Sequence, residues 1–197
     1  GWGNNDLQYN RKENASIVDG HLVITAKKQV YEGAEYTSTR MITKGKKEFK
    51  YGRVDIRAWL PKGQAIWPAL WMLGANFPGV NWPACAEIDI MAMVGGQGRE
   101  KTVHGTLHWD NNGSYACTCD KPGHSLSSGT FHDKFHVFSM RWTETMITWY
   151  VDDVQFNQID ITPAGLSEFH NSFFFIFNVA VGGNWPGSPD ANTHFPA

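Results

Sequence analysis

Short runs in which apolar and polar residues alternate, set between turn-forming residues, limit the folds open to this chain more than any other feature. In 53–60, charged residues alternate with apolar ones, and 146–151 alternates in the same way before a predicted hairpin turn at 152–153. A period of two is typical of a strand with one buried face. No long stretch carries the period of an amphipathic helix. The pattern predicts an all-β chain.

The number and spacing of the β-type runs indicate how the strands are arranged. Segments between them are short and rich in Gly, Pro and Asn, which leaves no room for crossover helices, and 167–170 forms at most one helical turn. We therefore expect a β-sandwich rather than a parallel α/β sheet. The further predicted strands, which bring the set to at least seven, are 22–26, 87–91, 103–109, 135–142 and 173–181.

Size, charge and hydropathy narrow the class of protein. The 197 residues, 42% of them hydrophobic, suit a single domain over 1–197, and we expect a monomer. The net charge is −2 and the cations are scattered apart from a short run at 44–47, so nucleic acid is not an expected partner. No run approaches the roughly 18 apolar residues of a membrane span, so no membrane partner is expected either. The chain begins without a recognisable export signal, which we expect to have been removed or left out.

The tryptophans point to a ligand. Nine Trp are more than a small core readily buries, and surplus Trp often forms stacking surfaces, for which sugar rings are suitable ligands. Membrane-interface or partner-binding aromatics are the alternatives. Trp67 and Trp71 would share one face of a strand and form a platform, unless they belong to the core. Pro68 between them predicts an edge strand or a bulge, because proline cannot donate to a ladder.

The three cysteines are an odd number, so at least one thiol is expected to be free. Cys117 and Cys119 lie two residues apart, a spacing that we expect to be too constrained for a disulfide between them. Cys85 is the alternative partner for either one.

A pair of carboxylates in 82–93 is the strongest candidate for chemistry. On a strand, Glu87 and Asp89 share one face while Ile88 and Ile90 point into the core. Like charges held together raise one pKa and cost stability, which is typical of functional sites. The alternative is an exposed acidic face on an edge strand.

Other types of active site fit the sequence less well. His104 and His108 share a strand face and could join the carboxylates in a metal-dependent hydrolase, but the tight ligand spacings of such enzymes are absent and we expect no metal. A neutral histidine that hydrogen-bonds to a sugar hydroxyl or to the carboxylates fits better. The chain has neither a Gly-Xaa-Ser-Xaa-Gly motif nor a phosphate-binding glycine loop.

Several longer motifs occur in one order along almost the whole chain, at 1–8, 51–61, 63–74, 103–106, 149–152 and 178–187. In these motifs the chain resembles glycoside hydrolase family 16, in its laminarinase-like branch. The resemblance implies a jelly-roll sandwich with a concave substrate cleft and retaining endo-hydrolysis of β-1,3-glucan. It also implies secretion, β-glucan as partner and no catalytic cofactor. Mixed-linkage glucan, agarose and carrageenan remain alternative substrates.

The active-site signature of that family is Glu, aliphatic, Asp, aliphatic, Met, Glu. By resemblance Glu87 is the nucleophile, Asp89 tunes it and assists proton placement, and the acid/base falls at position 92. Strict alternation would put Met91 on the face of Glu87, so a β-bulge is expected to return position 92 to the cleft. The residue at that position is Ala92, which cannot transfer a proton.

We interpret Ala92 as a Glu-to-Ala change introduced into an otherwise intact site, since the other motifs survive. The chain is then an inactive acid/base variant, because general acid catalysis contributes typically 10²-fold to 10⁴-fold. Ala86 also departs from the glycine usual before the nucleophile. The alternative is a natural, non-catalytic β-glucan-binding module on the same fold.

The resemblance also implies six substrate-binding residues. Two are polar groups beside the cleavage point, for which surface hydrogen bonding is the alternative, two are stacking partners and two border the cleft. In that order they are Asn5 and Arg40, Trp67 and Trp71, and His108 and Trp185. The family's first and last strands have no counterpart in the sequence. Because those strands supply a structural calcium site on the convex face, calcium is not expected here.

Overall fold

The computed structural model describes residues 3–197, which contain seventeen strands, three 3₁₀ helices and no α-helix. Gly1 and Trp2, the first residues of the 1–8 motif, lie outside the described residues. The 3₁₀ helices are Lys12–Asn14, Arg99–Lys101 and Ala164–His170. The strands are β1 Gln8–Asn10, β2 Ala15–Val18, β3 His21–Ile24, β4 Lys27–Tyr31, β5 Ala34–Ser38, β6 Arg40–Ile42, β7 Glu48–Phe49, β8 Gly52–Ala58, β9 Ile66–Gly74, β10 Glu87–Ala92, β11 Thr102–Asp110, β12 Tyr115–Cys117, β13 His124–Ser125, β14 His136–Trp142, β15 Met146–Val151, β16 Val154–Asp160 and β17 Phe173–Val181.

Two antiparallel sheets make up most of the molecule. The larger has the strand order β12-β11-β10-β9-β17-β6, with β13 beside β11 and β7 beside β17. The second has the order β16-β15-β14-β8. A three-stranded sheet, β1-β5-β4, and the hairpin β2-β3 complete the set. The predicted all-β sandwich is confirmed, and no helix in 3–197 is long and apolar enough to cross a membrane.

The main core lies between the two large sheets. Ile88 and Ile90 from β10 are buried there against Met140 and Trp149 from the second sheet. The indole N–H of Trp149 also donates to the backbone carbonyl of Asp89 at 2.8 Å. Because successive strand residues point to opposite faces, Glu87 and Asp89 lie on the face of β10 turned away from this core, as predicted.

A β-bulge interrupts β10 after Asp89. The three steps from Asp89 to Ala92 are matched by only two steps along β9, from Trp71 to Ala69. The register against β11 shifts in the same interval. Since paired residues share a face, Ala92 lies on the same face as Asp89 and Glu87. The predicted bulge is confirmed.

The hairpin turn predicted at 152–153 is also confirmed. Asp152 and Asp153 connect β15 and β16, with φ angles of 48° and 65°. Consecutive positive φ values suit the tight turn of an antiparallel hairpin.

Pro68 lies in a central strand, so the prediction of an edge strand or a bulge at this residue is wrong. β9 pairs with β10 on one side and β17 on the other. Towards β10, Pro68 contributes only its carbonyl, which accepts from the backbone N–H of Met93 at 3.2 Å. β10 ends at Ala92, so the missing donor falls at the end of the ladder, where it disrupts little.

The cysteine prediction is wrong in its pairing. Cys117 and Cys119 form a disulfide, with a Cα–Cα distance of 5.3 Å. The chain leaves β12 at Cys117, and the turn that follows brings the two side chains together. Cys85 is the free and buried cysteine, so the expectation of at least one free thiol is confirmed.

Candidate active site

The face of the large sheet opposite the core carries a row of polar and aromatic side chains. Strand register alone determines which residues share it, because each paired position contributes to the same face. From the β6 side to the β12 side, the face carries Arg40, Asn178, Trp67 and Trp71, then Glu87, Asp89 and Ala92, then His104, Thr106 and His108, and finally Cys117.

Glu87 and Asp89 are at the centre of this face and share one histidine. His108 Nε2 lies 2.9 Å from Asp89 Oδ2 and 3.8 Å from Glu87 Oε1. The two carboxylate side chains are only 19% and 12% exposed. They are therefore largely removed from water. This excludes the alternative of an exposed acidic face on an edge strand.

Burial and mutual repulsion control the charges of this group. Burial, followed by the negative charge of Asp89, raises the pKa of Glu87 well above its ordinary value, against the opposing effects of His108, Arg40 and a hydrogen bond from Trp82. Burial alone would lower the pKa of His108, but its hydrogen bond to Asp89, in which the ring N–H donates to the carboxylate, and both carboxylate charges raise that pKa to about 8. At neutral pH His108 is thus mainly an imidazolium that offsets the crowded negative charge.

Arg40 and Trp71 flank the carboxylates on the β6 side. The guanidinium carbon of Arg40 lies 4.6 Å from the centroid of the Trp71 ring, in a cation–π contact. The Trp71 indole donates to Asn178 Oδ1 at 2.7 Å. Trp71 is therefore held in one orientation, and Asn178 is a site residue that the sequence did not single out.

Trp67 and Trp185 lie at the Ala92 end of the face. Their ring centroids are 5.3 Å apart in an edge-to-face contact, and His104 packs against Trp185 at 5.4 Å. Asn5 Nδ2 donates to Asn184 Oδ1 at 2.8 Å, so Asn5 anchors the loop that carries Trp185. The structure brings all six predicted binding residues to this face or its rim.

A second aromatic pair, Trp82 and Tyr115, was missed in the sequence. Trp82 hydrogen-bonds to Glu87 and packs against Tyr115 with a centroid distance of 5.2 Å. The Tyr115 hydroxyl lies 2.8 Å from His108 Nδ1. Both rings are about half exposed. Trp82 stands five residues before Glu87, in the segment already singled out, whereas nothing local to Tyr115 signals its position.

A metal-dependent hydrolase would need His104 and His108 together with the carboxylate pair, and only part of this ligand set lies together. Ligand atoms of Glu87, Asp89 and His108 lie within 4.8 Å of one another. His104, however, packs against Trp185 at the other end of the face. The hydrogen bond between His108 and Asp89 suits a carboxylate pair balanced by a proton on the imidazole.

The fold and the site define a class: a β-sandwich protein with a buried carboxylate pair between exposed aromatic rings, the arrangement expected of a carbohydrate-active protein. Residues 3–195 match the model for glycosyl hydrolases family 16. The chain belongs to this family.

Individual relatives agree with the family match. The chain is 40% identical over its whole length to the beta-glucanase of Rhodothermus marinus, covering 72% of that protein. It is also 40% identical to the clotting factor G alpha subunit of Tachypleus tridentatus, of which it spans only 28%. Among solved structures, the laminarinase catalytic domain of Thermotoga maritima superposes with a TM-score of 0.89 at 46% identity, covering 100% of this chain and 80% of that one.

Proposed function

We propose that this chain is the catalytic domain of a retaining endo-β-1,3-glucanase in which alanine occupies the acid/base position. The observation that carries the proposal is the bulge in β10, which puts Glu87, Asp89 and position 92 on one face among the aromatic side chains. The substrate class is supported by the beta-glucanase and laminarinase relatives, both of which match the chain across its full length.

Glu87 is the nucleophile in this proposal. It is the more exposed of the two carboxylates, and the Trp82 hydrogen bond orients its side chain. Attack on the anomeric carbon forms a glycosyl-enzyme intermediate, which water then hydrolyses with retention of configuration. The positive charges of His108 and Arg40 oppose the effects of burial and of Asp89 on the pKa of Glu87, and so favour the carboxylate form that reacts.

Ala92 slows the first step for natural substrates. The departing sugar oxygen needs a proton, and in a retaining enzyme the group that supplies it lies about 5 to 5.5 Å from the nucleophile. Ala92 is on the right face but has nothing to donate. The absent acid is expected to cost typically 10²-fold to 10⁴-fold in rate, with the smallest loss for activated leaving groups.

Restoring the acid tests the proposal. Ala92→Glu should raise the rate of laminarin hydrolysis by roughly 10²-fold to 10⁴-fold, measured as reducing ends released with time. The matched control is the double variant Ala92→Glu/Glu87→Gln, which should stay inactive while retaining a folded spectrum. If Ala92→Glu cleaves no laminarin although it is folded and binds the polymer, the enzyme assignment fails.

Chemical rescue of the unchanged chain provides an independent test. Azide can enter the space left by the missing side chain and attack the glycosyl-enzyme formed from an activated aryl β-glucoside. The expected product is a β-glycosyl azide, because two displacements retain configuration. An α-glycosyl azide would contradict Glu87 as the nucleophile.

A non-catalytic β-glucan-binding module is the second candidate, and Ala92 is the observation that favours it. The crowded Glu87–Asp89 pair argues against it, because binding alone does not require a buried like-charge pair. In a pure binder, Glu87→Gln should scarcely change the affinity for laminari-oligosaccharides, and Ala92→Glu should cleave nothing. Cleavage profiles of Ala92→Glu on laminarin, lichenan and agarose would define the substrate among the polysaccharides of this family.

We also propose that the domain acts outside the cell as a monomer. The Cys117–Cys119 disulfide supports an oxidising environment. Light scattering during gel filtration tests the oligomeric state, and a mass of twice the 22.1 kDa of the chain would contradict a monomer.

A further inference from the structure

We propose that Cys117, Cys119 and His108 form a binding site for a soft divalent metal ion when the disulfide is reduced. One nitrogen of His108 and the two Sγ atoms lie within 4.8 Å of one another at the β12 edge of the active-site face. Two thiolates and an imidazole are the ligands that zinc and cadmium prefer, and a water molecule would complete a tetrahedral set.

The orientation of His108 suits this role. Its Nε2 faces Asp89 at 2.9 Å, while its Nδ1 meets the Tyr115 hydroxyl at 2.8 Å. The same hydroxyl lies 3.8 Å from Cys119 Sγ, so Nδ1 is the nitrogen turned towards the sulfur atoms. A histidine that binds a metal through one nitrogen while the other donates to a carboxylate is the usual arrangement around zinc. Asp89 is already placed to provide that support.

The position of the cysteines makes them accessible to reductant. Cys119 is exposed and Cys117 is partly buried, whereas Cys85 lies in the core. A dithiol reductant supplies two electrons and two protons, breaks the S–S bond and becomes a cyclic disulfide itself. Two thiols result. Binding of a divalent ion then converts them to thiolates with release of two protons, and the His108 imidazolium releases a third proton from Nδ1 when that nitrogen binds the ion.

The redox state of the β12 edge would in this way alter the active-site face. In the oxidised chain the sulfur atoms are bonded to each other and the Tyr115 hydroxyl occupies Nδ1 of His108. In the reduced chain the ion would take that position and displace Tyr115. The site itself does not depend on the proposed hydrolytic function, because its ligands are present whether or not the chain cleaves glucan.

Cadmium binding tests the inference directly. The chain is reduced with dithiothreitol, freed of reductant by anaerobic gel filtration and titrated with Cd²⁺. The expected result is one ion per chain with thiolate-to-metal charge-transfer absorption in the ultraviolet. Without reduction, the same titration should give no such absorption and at least tenfold weaker binding. Equal binding in both redox states would assign the metal to the carboxylates and overturn the inference.

Variants identify the ligands. Cys117→Ser/Cys119→Ser should abolish the absorption, and His108→Gln should weaken binding at least tenfold while keeping part of it. Cys85→Ser is the matched control and should bind cadmium like the unchanged reduced chain. A thermal melt of each reduced variant shows that it is folded. Loss of the absorption in Cys85→Ser, or unchanged affinity in His108→Gln, would contradict the proposed ligand set.

Discussion

At the scale of single residues, the active-site face holds charges that a domain selected for stability alone would avoid. Glu87 and Asp89 are both mostly buried and share one cationic partner, His108. Burial, followed by repulsion from Asp89, raises the pKa of Glu87. In the unfolded chain Glu87 ionises near its ordinary pKa and releases its proton at lower pH. As pH rises from the ordinary pKa to the raised one, Glu87 therefore makes unfolding progressively easier.

Replacing Glu87 by an uncharged isostere should relieve this cost. Glu87→Gln is expected to raise the free energy of unfolding at neutral pH by about 1 to 3 kcal/mol, the range of shifts seen for crowded carboxylates. The gain should shrink as pH falls towards about 4.5, where Glu87 is protonated in both states. Urea unfolding across this pH range measures it, with Glu35→Gln at an exposed strand position as control. A gain that does not depend on pH would exclude the electrostatic explanation.

His108 contributes stability with a different pH window. Its folded pKa is raised from 6.5 to about 8, so its stabilising contribution is complete below about 6.5 and is lost as pH rises through about 8. The difference between the two pKa values corresponds to about 2 kcal/mol. His108→Gln should lower the free energy of unfolding by about this amount at pH about 6 and by little at pH about 9. The same loss at both pH values would indicate packing and not charge.

At the scale of elements, β10 and its bulge decide what the site can do. The bulge lets one short strand present three side chains, at 87, 89 and 92, on one face. Trp149 supports the strand from below through its hydrogen bond to the Asp89 carbonyl. The neighbouring Gly105 permits this packing, since a Cβ there would lie 2.4 Å from the Trp149 ring.

A comparison of two buried tryptophans measures the contribution of the hydrogen bond from Trp149 to the Asp89 carbonyl. Trp149→Phe removes ring volume and also leaves the Asp89 carbonyl without that donor. Trp142→Phe is the matched control, because Trp142 is equally buried but its indole nitrogen has no hydrogen-bond partner within residues 3–197. Trp149→Phe should cost about 1 to 3 kcal/mol more free energy of unfolding than the control. Equal losses in chemical denaturation would show that the hydrogen bond contributes nothing.

At the scale of the whole molecule, aromatic pairs lie at both ends of the carboxylate face. Trp67 and Trp185 are at the Ala92 end, and Trp82 and Tyr115 are at the Glu87 end. Because the two pairs lie on opposite sides of the carboxylates, we expect a glucan of several sugar rings to contact both pairs and a short oligosaccharide to contact only one.

Binding should therefore depend on chain length. Trp185→Ala and Trp82→Ala are each expected to weaken binding of laminarihexaose by up to roughly tenfold, from the 0.5 to 1.5 kcal/mol typical of an aromatic contact. At least one of them should leave laminaribiose binding unchanged. Trp59→Ala is the control, because Trp59 is also half exposed but follows β8 in the other sheet. Calorimetry measures these affinities, and equal effects on both ligands would contradict a long binding face.

Local pattern was enough to determine a large part of this protein. The alternation in 53–60 and 146–151 predicted strands, and strict alternation from Glu87 showed that the family signature, which assigns a role to position 92, requires a bulge. These features depend on the period of the backbone, which each short segment carries within itself. That Ala92 has no proton to donate is likewise a property of one side chain, whereas the acid/base role proposed for position 92 comes from the family signature.

Only the tertiary structure decided which distant residues meet. Tyr115 reaches His108 because β12 pairs with β11, Asn178 reaches Trp71 across the β9–β17 register, and the turn after β12 joins Cys117 to Cys119. The structure likewise shows why proline is tolerated in a central strand, because the neighbouring strand β10 ends beside Pro68. Cross-strand register and turn geometry are set by the packing of the whole sandwich, because the energy of each pairing depends on which faces the other strands bury.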